Sequence, residues 1–107
     1  VFPGGVGVVP WMVPGGAEIA LATSKLMEEY DAAVWAHHGL FCSGPVFDTT
    51  FGLMHTIVKA AQIYILALSA GQGKIHQTIQ DEELRAIARD FGVTLREEFL
   101  DETPLAK

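Results

Sequence analysis

A single cysteine, Cys42, stands in the 107 residues, so an internal disulfide is excluded and nothing points to secretion. Basic residues are scarce. Seven Lys and Arg face 13 Asp and Glu, a net charge of −6 with histidine neutral. Such a chain lacks the positive surface that a phosphate backbone requires, and no nucleic-acid partner is expected. Long apolar runs are missing too. The longest, Ile63 to Ala70, is broken by Ser69 and followed by Gly71 and Gly73, short of the roughly 18 uninterrupted residues of a span, so no membrane partner is expected. There is no basic leader, no starting methionine, and an opening Val1-Phe2 that reads like the middle of a structured segment. A piece of a longer, cytoplasmic protein is expected. What the chain does have is apolar content: 50% hydrophobic against 19% charged residues excludes disorder and suits one compact domain.

Val8-Val9-Pro10-Trp11 favours a strand confined by proline to short pieces, and Pro14-Gly15-Gly16 is a turn that leads into a helix. Ile19, Ala22, Leu26 and Tyr30 share one face of a helix over Ala17 to Tyr30, with Glu18 in its first turn and Asp31 at its close. Ala32 to His37 reads as a buried strand. His38-Gly39 interrupts it, Leu40-Phe41-Cys42 resumes in extended form, and Ser43-Gly44-Pro45 turns. From Phe47 to Ala70, Phe51, Met54, Val58, Ala61, Ile65 and Leu68 continue one apolar helix face. Leu53, Ile57, Ala60, Tyr64 and Ala67 add a second, leaving a narrow polar stripe that includes His55. So wide an apolar arc calls for cover by further polypeptide or a neighbouring subunit. Gly71-Gln72-Gly73 stops that helix. A last helix over Asp81 to Phe91 is started at Gln80 or Asp81 and closed by Gly92, and the charged tail from Thr94 to Lys107 is expected to fray. Strand, helix, strand, strand, helix, helix is the order of an α/β domain with helices against a sheet.

Chemistry concentrates at Trp35-Ala36-His37-His38-Gly39. If the strand runs through both histidines, they point to opposite faces, and at most one can bind a given metal ion. The competing reading is one satisfied core histidine and one solvated one. Cys42 shares a face with His38, but four extended residues span about 13 Å, far beyond a zinc coordination shell, so Cys42 reads as a small buried hydrophobe. His55 reads as a solvated or interface residue, and His76 lies in a loop. The sequence has no H-x-H pair, no CxxC, no HExxH and no Walker loop. Gly4-Gly5-Val6-Gly7 lacks the strand–loop–helix setting of a phosphate cradle, and Ser43 has no readable triad partners.

Three stretches carry a resemblance: Phe2-Pro3-Gly4-Gly5-Val6-Gly7-Val8-Val9-Pro10-Trp11-Met12-Val13-Pro14-Gly15, then Trp35-Ala36-His37-His38-Gly39-Leu40-Phe41-Cys42-Ser43-Gly44-Pro45, then Asp48-Thr49-Thr50-Phe51-Gly52-Leu53. Lys59-Ala60-Ala61-Gln62, Gln77-Thr78-Ile79, Glu82-Glu83-Leu84 and Phe91-Gly92-Val93-Thr94 extend it over nearly the whole chain. The chain resembles the class II aldolase/adducin family, and within it the enzymes that cleave L-rhamnulose 1-phosphate. The match falls on the C-terminal part of their single domain, with 94–107 as its tail.

The resemblance implies a three-layer α/β/α sandwich and a zinc-dependent cleavage of the ketose 1-phosphate into dihydroxyacetone phosphate and L-lactaldehyde. It implies three histidine ligands, of which His38 is the one this chain supplies, and a homotetramer. The other two ligands, the general base and the phosphate-binding residues are implied to lie upstream, so the isolated chain is expected to be inactive. Val58 departs from a glutamate frequent in the family, Gln80 from a serine. Other readings on the same fold are another sugar-phosphate aldolase, epimerase or dehydratase, or a non-catalytic adducin-like scaffold.

Overall fold

The computed structural model describes residues 4–100. They form two units, one of Val6–Ile65 and the other of Leu66 onward together with Gly4 and Gly5. Elements follow in the predicted order: β1 (Gly7–Val9), α1 (Ala17–Met27), β2 (Ala32–Trp35), β3 (Gly39–Cys42), α2 (Phe47–Ala70) and α3 (Asp81–Asp90), with a 3-10 turn at Glu97–Phe99. The fold is α/β.

In the first unit the sheet runs β1-β2-β3. β1 and β2 are parallel, with α1 between them in sequence, and β2 and β3 form an antiparallel hairpin. Gly7 lies opposite Ala33 and Val9 opposite Trp35. Alternation along a strand therefore puts Gly7, Val9, Ala33 and Trp35 on one face and Val8, Val34 and Leu40 on the other. α1 covers the first face. Val9, Ile19 and Ala33 are buried there, with Met12, Ala22, Leu26, Met27 and Trp35 packed around them. The helix comes close because residue 7 has no side chain: a Cβ there would sit 2.9 Å from Tyr30 Cδ2 and 3.1 Å from Leu26 Cδ1. The second face is covered at Ala32, which is fully buried, but Val8 beyond it is 63% exposed and Val34 36%.

α1 stops at Met27, not at Tyr30 as the apolar spacing predicts. Glu28 is its C-cap, and the Glu29 and Tyr30 N–H groups both close on the Leu26 carbonyl, at 3.0 and 2.8 Å. Tyr30 still reaches the core, but from a turn. The buried face of α1 also includes Thr23, which the apolar pattern passes over.

α2 has the predicted bounds, and none of its residues is buried. Phe47 is 81% exposed and Leu66 68%. Over an 18-residue window its mean hydropathy is 1.5, so by length and composition the helix is long and apolar enough to cross a membrane. A mean over the window, unlike a count of uninterrupted apolar residues, admits this helix as a span, and core helices of soluble proteins satisfy it equally well.

In the second unit, α2 ends in a Schellman turn. Gly73 N–H reaches Leu68 O at 2.7 Å and Gln72 N–H reaches Ser69 O at 3.4 Å. The residue in left-handed conformation is Gln72, with φ 55. Gln80 is the N-cap of α3, and its N–H donates to Glu83 Oε2 at 2.8 Å, so Asp81 is the first helical residue rather than the cap. Val93 N–H to Ala88 O at 2.8 Å closes α3 beyond Gly92, as the glycine predicts. Fraying was expected from Thr94. Over 94–100 the chain is instead held: Arg85 Nη2 contacts Glu97 Oε2 at 2.9 Å, and Arg96 Nη1 donates to Gly4 O at 3.2 Å. Residues 101–107 lie outside the described residues.

Candidate functional site

The β2–β3 hairpin positions the histidine pair. The strand ends at Trp35, two residues before the predicted end. His38 N–H donates to Trp35 O at 3.0 Å, and Ala36 N–H donates to Val9 O at 3.1 Å, which ties the turn to β1. Residue 37 takes φ 60, a left-handed conformation in which histidine is one of the better-tolerated side chains. His37 and His38 therefore occupy a turn, and the expectation that they alternate across a strand fails. Both side chains are exposed, and of the two, among the described residues, the His38 ring is the one that stacks on another ring.

That packing is aromatic. The His38 imidazole stacks on the Trp35 indole, with centroids 5.4 Å apart and planes at 29°. Phe41 lies nearly parallel to the same indole, at 6.3 Å and 2°. The indole is anchored at its other end. Trp35 Nε1–H donates to Thr23 Oγ1 at 3.0 Å, and Thr23 Oγ1–H donates to Ile19 O at 2.7 Å. A buried hydroxyl must be satisfied, and a packed indole N–H seeks an acceptor. Each solves the other's requirement. Sequence reasoning missed this pair. The available signal was a threonine one turn beyond Ile19 on a face otherwise apolar, together with a tryptophan at a strand end.

His38 is exposed, and a cleft lined by Trp35, His38, Gly39, Leu40 and Phe41 opens beside it. Among the described residues no group hydrogen-bonds either of its ring nitrogens. An imidazole held by its face, with open space beside it, fits the role of a metal ligand. The described residues contain no group of three or more His, Cys, Asp or Glu side chains able to hold an ion. His38 would thus be a single donor to a site completed by other polypeptide.

The remaining candidates stay apart from it. Cys42 is at the open end of the hairpin, paired with Ala32, where Ser43 N–H donates to Asp31 O at 2.9 Å. Burial, and after it the Asp31 charge, push the Cys42 thiol up. A thiol so disposed is a small hydrophobe rather than a thiolate ligand. His55 continues an exposed row of rings on α2, stacked 6.4 Å from Phe51, itself 6.3 Å from Phe47. The His76 ring lies 3.3 Å from the Gly71 carbonyl and belongs to the turn after α2. Ser43 Oγ contacts Met27 Sδ at 3.6 Å. Gly4 to Gly7 leads into β1 and opens no helix, as the absent phosphate-loop setting implied.

Comparison with known proteins gives one consistent result. The profile of the class II aldolase and adducin N-terminal domain matches residues 1–65. The rhamnulose-1-phosphate aldolase of Listeria monocytogenes serotype 4b is 48% identical over 101 residues, covering 94% of this chain and 36% of its own length. That of Salmonella paratyphi B is 50% identical over 94 residues, covering 88% of this chain and 34% of its own length. For Escherichia coli O1:K1 the figures are 51% over 94 residues, 88% and 34%. The chain spans about a third of the length of these curated relatives.

Proposed function

The chain belongs to the class II aldolase and adducin family, and from that premise we propose that it is the C-terminal part of a zinc-dependent aldolase. The reaction is cleavage of L-rhamnulose 1-phosphate to dihydroxyacetone phosphate and L-lactaldehyde, with His38 as one of the zinc ligands. The observation that carries this reading is identity near one half, over 94% of the chain, to a protein named rhamnulose-1-phosphate aldolase.

Bound zinc supplies Lewis-acid stabilisation of the negative charge that develops as the carbon–carbon bond breaks. This chain's share of the work is narrower. The His38 imidazole would give one ring nitrogen, and the hairpin turn holds its main chain. Catalytic zinc keeps three protein ligands and an open position, so two more ligands are needed, and the family resemblance implies that they, the base and the phosphate contacts come from polypeptide before Val1. The 107 residues alone are inactive and bind zinc weakly. Tight one-to-one binding by the isolated chain in calorimetry would overturn that.

The architecture proposed is one class II aldolase domain with a three-layer α/β/α sandwich, of which 1–107 is the C-terminal portion and 94–107 the tail. The exposure of Val8 and Val34 on the second face of the sheet supports a missing layer, since sheets with parallel pairs are ordinarily covered on both sides. The exposed α2 supports a homotetramer, with subunits rather than lipid against its apolar arc. Its partners are then copies of itself and a sugar phosphate in the cytoplasm, with neither nucleic acid nor membrane.

The test uses the full-length protein on a panel of ketose phosphates, with zinc content measured alongside. L-rhamnulose 1-phosphate should be the preferred substrate. His38→Ala should weaken zinc binding by more than about 100-fold, beyond the usual effect of residues behind the ligands, while His37→Gly should leave it intact. Preference for another ketose phosphate would assign a related aldolase, epimerase or dehydratase. Absence of both zinc and turnover would assign a scaffold.

A further inference from the structure

We propose that Thr23 and Trp35 are positioning residues for the His38 imidazole: the Thr23 hydroxyl fixes the indole, and the indole face fixes the plane of the ring. This rests on the reading of His38 as a metal ligand.

The hydrogen-bond chain has only one possible direction. Thr23 spends its proton on the Ile19 carbonyl at 2.7 Å, so its oxygen is left to accept, and Trp35 Nε1–H is the donor, at 3.0 Å. The carbonyl belongs to the backbone of α1 and does not rotate. Thr23 is itself 6% exposed and β-branched, which narrows its rotamers further. The indole is therefore referenced to the helix that covers the sheet. Phe41, nearly parallel to the indole at 6.3 Å, narrows its range of tilt.

Ligating histidines are ordinarily oriented by a hydrogen bond from the second ring nitrogen to a carboxylate, a carbonyl or water. Among the described residues His38 has no such partner, and its contact is the indole face at 5.4 Å. Stacking sets a ring plane without consuming a nitrogen. Both nitrogens of His38 stay available, one for the metal and one for whatever the rest of the polypeptide brings. A loosened indole would let the imidazole tilt, and a catalytic site tolerates only about 0.5 Å and 10–20° of such error.

The experiment compares Thr23→Val, Thr23→Ser, Trp35→Phe and the Thr23→Val/Trp35→Phe double variant in the full-length protein. Zinc affinity is measured by competition with a chromophoric chelator, and ligand geometry by the visible absorption of the cobalt-substituted protein. Thr23→Val and Trp35→Phe should each weaken zinc about tenfold and shift the cobalt bands, within the range seen when an orienting partner is lost. The double variant should be no worse than the worse single one, because both break the same bond. Thr23→Ser should restore affinity and spectrum.

Wild-type affinity and unshifted bands in both single variants, with only the melting temperature lowered, would overturn the proposal. Trp35→Phe keeps a ring in the core, so the test survives a misfolded Thr23→Val. Loss of zinc in His38→Ala alone would sink the positioning role and spare the ligand. Retention of zinc in His38→Ala would sink both.

Discussion

Gly71→Ala should destabilise the protein, and its neighbour Gln72→Gly should stabilise it. A Cβ on residue 71 would lie 2.0 Å from Lys74 O, 3.0 Å from His76 Cδ2 and 3.1 Å from Ala67 O. Two of those atoms are main-chain oxygens, which no rotamer change can move. Admitting a methyl group means opening the turn and losing Lys74 N–H to Gly71 O, at 3.2 Å, and Gly73 N–H to Leu68 O, at 2.7 Å. At about 0.5–1.5 kcal/mol each, the loss is about 1–3 kcal/mol. Gln72 holds a left-handed φ of 55 at a cost of about 1 kcal/mol. Glycine removes that cost but gives back part of it as freedom in the unfolded chain, for a net gain of about a few tenths of a kcal/mol. Urea unfolding of the full-length protein measures both as shifts in midpoint at constant slope. If Gly71-Gln72-Gly73 were merely a flexible connector, Gly71→Ala would stabilise by about 0.4–1 kcal/mol. A midpoint at or above wild type for Gly71→Ala refutes the close-approach argument.

Ile19→Ala should cost about 2–3 kcal/mol, the low end of the usual range, because Val9 and Ala33 beside it are small. A loss under about 0.5 kcal/mol would mean that α1 is not the cover of the sheet. Cys42 makes stability depend on alkaline pH. Burial, then the Asp31 charge, raise the native thiol, so the unfolded chain ionises first. The contribution is present below the ordinary thiol range and is lost as pH climbs through the raised value, and Cys42→Ala should flatten that slope. Iodoacetamide at mildly alkaline pH should label the native thiol more slowly than the urea-unfolded one, and equal rates would refute the shift.

Periodicity made the element order legible, and α2 was bounded to the residue because Pro45 and Gly71 punctuate a continuous apolar pattern. The end of α1 was misread for the opposite reason. Tyr30 keeps the helical spacing and stays half-buried, so nothing in the pattern marks that the backbone has already turned. The hairpin tip reads in the sequence as an interruption at His38-Gly39 rather than a turn over 36–38 because its left-handed residue is His37, where glycine or asparagine would have announced it. Contacts between distant residues escaped altogether. Thr23 and Trp35 are 12 residues apart, Arg96 and Gly4 are 92 apart, and single-chain patterns carry no information at those separations. Composition and spacing marked the histidine pair. The choice of His38 over His37 came from the resemblance alone.

The hairpin also imposes a timetable on the site. Its turn joins neighbours in sequence and closes on the scale of about 1–10 μs, whereas β1 must find β2 across the whole of α1, and non-local pairing of that kind is slow. His38 is thus delivered to the tip early, with its ring still swivelling. Its stack on Trp35 is completed only when α1 docks and Thr23 catches the indole, so the outline of the tip forms before the setting of its ring.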